Sequence, residues 1–182
     1  LKNFLRKNRG KRRYIHPKLG VRGFFTALKN NKIDYVVLRW FETLPHVEEG
    51  EDIDILVADE DIHRLEAFLT GTKSYGTPCD IYTVSGLPGT SYRGIAYFPE
   101  HLARELLDNA RLQDDLVRVP DPRRHLFSMA YHAAYHKGYE SGVPSDTGKN
   151  ENPEPTDHDY PAVLRACAER ADMERPELTL EV

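Results

Sequence analysis

Residues 51–57 read EDIDILV, and they constrain the fold more than any other stretch of the chain. Ile53, Ile55, Leu56 and Val57 predict a buried β-strand, yet Asp52 and Asp54 stand among them. Residues two apart on a strand share a face, so the two carboxylates project together while Ile53 and Ile55 point the other way, into a core. An ionised carboxylate withdrawn from water costs several kcal/mol unless it is paired, so the fold must bring a partner. A divalent cation is one such partner. Mg2+, or Mn2+ in its place, accepts one or two carboxylates, keeps several waters and completes its shell with phosphate oxygens. Asp80, opening the strand candidate CDIYTV, is the third acid that would close the constellation. Three carboxylates from two strands would hold two ions, one activating a hydroxyl and one neutralising a nucleotide, with Asp80 taking the proton. Its plainer role is a strand-end residue capping the turn after Pro78.

Apolar spacing organises the rest. Residues 19–33 predict a helix through Val21, Phe24, Phe25 and Leu28, with Asn30 and Asn31 as its exit. Residues 35–38, 53–57 and 79–84 predict strands, and 59–69 a helix that Asp59 caps. A shorter apolar stretch follows at 95–98. Residues 99–109 and 122–137 predict helices opened by prolines, with a short strand at 116–119 between them. Residues 138–156, rich in Gly, Pro and polar residues, predict a mobile loop, and 158–171 a last helix. The order predicts an α/β (α+β) fold: a small mixed β-sheet with flanking helices, then a helical C-terminal half. Three segments are expected: a basic arm at 1–18, an α/β core at 19–119 and a helical region at 120–182.

With 30% charged residues and a net charge of −4, the whole chain lacks the positive balance of a nucleic-acid binder. The arm alone is basic, with eight Lys and Arg and no acid in residues 1–18; a solvated tail and a contact with an anionic partner both fit it. No apolar run reaches the ~20 residues of a membrane span, which with the lack of a signal-peptide core predicts a cytoplasmic protein. Cys79 and Cys167 stand too far apart in sequence for a cysteine-based zinc motif.

A helix, a strand, a turn, an Asp-x-Asp strand, a helix and a strand with one more Asp resemble the nucleotidyltransferase superfamily, whose fold DNA polymerase beta shares. The resemblance covers residues 19–84 and implies that Asp52, Asp54 and Asp80 are the metal ligands. The form VLRxxExLP followed by DIDILV is similar to nucleotidyltransferase-like domains encoded among bacterial surface-polysaccharide genes. That likeness implies a nucleoside triphosphate as donor and a sugar or polyol phosphate as acceptor. The chain departs from the pattern where the family places Gly-Ser after the first strand, for here stand Arg39 and Trp40. Arg39 can meet phosphate through its planar fork, or mark a site where no triphosphate binds.

Glu42 is near enough to pair with Arg39, and Trp40 to anchor the turn. His132 and His136, four apart in YHAAYHK, permit zinc, but no glutamate adjoins the first as a base. A polar face lining a cleft is the other reading, from which Arg124 and Lys137, with Arg123, would reach a nucleotide's phosphates. The expected function is a Mg2+-dependent nucleotidyltransferase. The alternative is a non-catalytic nucleotidyltransferase-like domain that binds a nucleotide or a protein partner; because the chain begins at Leu1, a longer parent chain is also expected to be open. A metal-dependent glycosyltransferase ranks third, since only 51 residues precede Asp52 where such enzymes place a larger βαβ region.

Overall fold

The computed structural model describes residues 12–71, 76–146, 158–174 and 177–180. The first eleven residues of the expected arm, most of the expected loop and the chain end lie outside them. Two compact units divide the chain, residues 1–120 and 121–182.

The first unit is built on a mixed five-stranded sheet in the order β2-β3-β5-β1-β4. Its strands are β1 (Arg13–Ile15), β2 (Tyr35–Val37), β3 (Ile53–Val57), β4 (Leu69–Thr70) and β5 (Pro78–Thr83). The pair β3 and β5 is parallel; β2 runs antiparallel to β3, and β1 antiparallel to both β5 and β4. Every residue of β3 is buried, as a strand covered on both faces requires. Helix α1 (Gly20–Asn30) lays Phe24, Phe25 and Leu28 on the core, and Phe25 stacks on Tyr35 of β2 at 6.0 Å between ring centroids. At about 1.5–3 kcal/mol for each large apolar side chain buried, this face and the inward residues of β2, β3 and β5 hold the unit together.

Three features of this unit differ from the sequence reading. Arg13–Ile15, expected within the basic arm, forms β1 between β5 and β4. The stretch expected as one helix over 59–69 is a 3-10 turn (Asp59–Asp61), a short helix α2 (Ile62–Glu66) and β4. Helix α3 (Glu100–Asp108) follows, and then the strand expected at 116–119 is β7 (Val117–Val119), paired in a hairpin with an unexpected β6 (Arg111–Gln113). Arg118 fixes this hairpin, donating to the carbonyls of Tyr35 at 2.8 Å and Leu107 at 2.9 Å and to Asp34 at 2.7 Å.

In the second unit, helix α4 (Pro122–Tyr131) begins at Asp121, whose Oδ1 accepts from the N–H groups of Arg123 and Arg124. Pro122 occupies the first turn, where its missing N–H costs nothing. The expected single helix over 122–137 instead changes at His132 into a six-residue π segment (His132–Lys137), closed by a 3-10 turn (Gly138–Ser141). Helix α5 (Tyr160–Arg170), capped by Asp159, packs Leu164, Cys167 and Ala168 into this unit's interior beside α4. Among the described residues no helix is long and apolar enough to cross a membrane.

Candidate functional site

The three aspartates singled out by the sequence stand on one face of the central strand pair. Asp54 of β3 and Asp80 of β5 are direct partners in the parallel register, and Asp52 immediately precedes β3, two residues before Asp54 and so on its face. The strands that carry them are pinned by Ile53, Ile55 and Ile81, all in the core. Asp80 therefore lies within the sheet beside Asp54.

What neutralises these carboxylates is arginine, at two depths. Asp54 is 4% exposed, and Arg39 Nη2 meets its Oδ2 at 2.8 Å. The guanidinium also donates from Nη1 to the Tyr97 hydroxyl at 2.9 Å and lies 5.6 Å from that ring's centroid. Tyr97 in turn packs on Tyr82 of β5, with centroids 4.0 Å apart. Arg39 sits here because it follows β2, whose antiparallel pairing ends with the Leu38 N–H donating to the Asp54 carbonyl at 2.9 Å. Its carboxylate partner is thus Asp54, where the sequence pointed to Glu42. Burial pushes the Asp54 carboxyl up to about 7 against the pull of Arg39. Burial works against the Arg39 charge too, but Asp54, then Tyr97 and Tyr82, outweigh it and hold that guanidinium above its ordinary range.

The outer pair is more open. Arg12, just ahead of β1, spans both remaining carboxylates, with Nη2 on Asp52 and Nε 3.3 Å from Asp80 Oδ1. The side chains of Asp52 and Asp80 keep 27% and 25% of their surface, and Arg12 keeps 47%. Burial and then the Asp80 charge raise the Asp52 carboxyl; Arg12 and Arg39 act in the opposite direction.

Trp40 has φ +54, a left-handed conformation that bulky residues rarely adopt and glycine adopts freely. The turn after β2 thus has a backbone that glycine would ordinarily supply, held here by a tryptophan at a cost of order 1–3 kcal/mol.

A cation fits part of this face. Asp52 and Asp80 offer oxygen donors alone, are partly open to solvent and already share one positive group, the chemistry a hard divalent ion requires. Asp54 does not fit in the same way, because its carboxylate is engaged by a buried arginine. Among the described residues, no group of three or more His, Cys, Asp and Glu is arranged to hold a metal ion. The donor set suits one ion through Asp52 and Asp80 in place of Arg12.

Arg124 and Lys137, expected beside the phosphates, belong to the second unit. Arg124 pairs with Asp121 at 3.2 Å, and the Lys137 ammonium lies 5.8 Å from the Tyr160 ring centroid. Two residues of the site escaped the sequence reading. Arg12 was one basic residue among eight in the arm, and Tyr97 lay in an apolar stretch read for packing; the aromatic run of Tyr92, Tyr97 and Phe98 was its only signal. No family model, curated protein or solved structure matches the chain.

Proposed function

We propose that the first unit is a nucleotidyltransferase-like domain that binds a nucleoside triphosphate with Mg2+ or Mn2+ and passes its nucleoside monophosphate to a hydroxyl or phosphate acceptor such as a sugar or polyol phosphate. The observation that carries this reading is the in-register placement of Asp54 and Asp80 on adjacent parallel strands, with Asp52 on the same face. The left-handed turn at Trp40 supports it, because a turn of that shape lets backbone N–H groups face phosphate oxygens.

In this scheme Asp52 and Asp80 hold the cation, which supplies charge neutralisation for the triphosphate when bound. Arg12 gives up the two carboxylates and offers its guanidinium to the phosphates. Asp80 accepts the proton of the attacking hydroxyl as the new O–P bond forms and pyrophosphate leaves. Arg39 and Tyr97 keep Asp54 fixed beside them, so that the ligand carboxylates meet the substrate without rearranging.

A second reading, binding of a nucleotide or a protein partner without turnover, is favoured by the commitment of Asp54 to Arg39. Calorimetric titration with each nucleoside triphosphate, with and without Mg2+, separates these readings when paired with pyrophosphate release over a panel of sugar and polyol phosphates. Mg2+-dependent binding that Asp52→Asn abolishes, with release, supports transfer; binding without release supports the second reading. Failure to bind any nucleotide overturns the transfer reading and leaves only a protein partner for the second.

A further inference from the structure

We propose that the second unit carries a metal site of its own, in which His132 and His136 hold one borderline divalent cation of the Zn2+ class. The two Nδ1 atoms lie 3.3 Å apart. A tetrahedral ion with Zn–N bonds of about 2.0–2.1 Å has ligand atoms separated by about 3.3–3.4 Å, so the pair already spans one edge of that polyhedron. The ring centroids are 5.4 Å apart with the planes at 79°, which brings the rings together by their Nδ1 edges.

A second feature points the same way. His132 is buried, and its other ring nitrogen, Nε2, is 3.1 Å from the Tyr160 hydroxyl of α5. A ligating histidine regularly uses its second nitrogen in this manner, which fixes the ring and leaves the first nitrogen for the metal. The backbone supplies a third. Both histidines lie on the π segment (His132–Lys137) that continues α4 and passes into the 3-10 turn, and π-helical turns are rare and frequent at functional positions. The segment ends at Gly138, whose φ of +56 allows the chain to leave sharply. Imidazole nitrogens suit Zn2+, Ni2+ and Cu2+ and match poorly the hard ions expected at Asp52 and Asp80, so the two units would select different metals.

The test is calorimetric titration of the full chain with ZnCl2, repeated with CoCl2 while visible absorption reports tetrahedral coordination. Wild type is expected to take up one ion per chain at this site, with His136→Gln weakening it at least tenfold. Tyr160→Phe, which keeps the ring and removes only the hydroxyl, is expected to weaken it by about 10–100-fold. Exposed His63, changed to Gln, serves as a control and should leave affinity unchanged. Wild-type affinity in both His136→Gln and Tyr160→Phe overturns the proposal. So does the absence of stoichiometric binding at millimolar metal, or binding lost in Asp52→Asn/Asp80→Asn and kept in His136→Gln.

Discussion

The same two chemical groups, carboxylate and guanidinium, meet twice on one face of the sheet, and burial makes the two meetings different in kind. Arg39 and Asp54 are enclosed, with side chains 10% and 6% exposed, and Tyr97 anchors the arginine. Arg12, Asp52 and Asp80 remain in reach of water. Two charges in a low-dielectric interior cannot separate without leaving each other unsatisfied, whereas half-exposed charges exchange partners at little cost. The inner pair is therefore a fixed part of the fold, and the outer carboxylates are the ones available to a ligand.

The inner pair gives the largest expected effect. Arg39→Met leaves Asp54 buried without its partner and is expected to cost about 3–5 kcal/mol in urea denaturation. Arg39→Met/Asp54→Leu, which removes both charges, is expected to regain most of that. A single substitution that costs under about 1 kcal/mol would show that the inner pair is as exchangeable as the outer one and erase the distinction.

These depths were only partly legible in the sequence. Asp52, Asp54 and Asp80 were visible because carboxylates in β-branched runs demand a partner, and the strands bearing them have strong apolar signals. The identity of the partner was not. Arg39 reaches Asp54 through the antiparallel pairing of β2 with β3, and Arg12 reaches Asp80 from 68 residues away, so neither contact leaves a local pattern. β1 was hidden for a related reason, since Arg13–Ile15 has three residues and continues a basic run. Arg13 itself is buried against Glu66 and the Gly89 carbonyl, partners that no nearby spacing announces. The left-handed Trp40 was illegible outright, because sequence rules assign that conformation to Gly or Asn. α1, by contrast, was legible from Phe24, Phe25 and Leu28, whose spacing alone states which face is buried.

Titration offers the next effect in size. Burial and Asp80 raise the Asp52 carboxyl, and burial raises Asp54 to about 7, so the folded state keeps protons that the unfolded chain has already released. Their contribution to stability is fully present below the ordinary carboxylate range and declines as pH rises through the raised values. A cation that takes up the outer carboxylates opposes this decline. Millimolar MgCl2 is thus expected to raise the unfolding free energy, read in urea denaturation, more at about pH 8 than at about pH 5, approaching about 2.7 kcal/mol when the ion stands at a hundred times its Kd. Asp52→Asn and Asp80→Asn should each remove most of the increment at the higher pH. An increment independent of pH and of these residues would place the ion elsewhere and deny the outer pair its role.

The smallest effect on stability is the sharpest probe of exchangeability. Among the described residues Arg12 spans both outer carboxylates, yet its side chain is 47% exposed, so its ion pairs are screened. Arg12→Gln should change unfolding free energy by less than about 1 kcal/mol, several-fold less than Arg39→Met. On metal affinity the order reverses. An ion entering between Asp52 and Asp80 must displace Arg12 but not Arg39, so Arg12→Gln is expected to tighten Mg2+ or Mn2+ binding several-fold in calorimetry. Nucleotide affinity should fall in the same variant if the displaced guanidinium then meets the phosphates, because the substitution removes both a competitor of the metal and a donor to the ligand. Unchanged metal binding in Arg12→Gln would mean that the guanidinium and the ion do not compete, and that the outer carboxylates are held as firmly as the inner one.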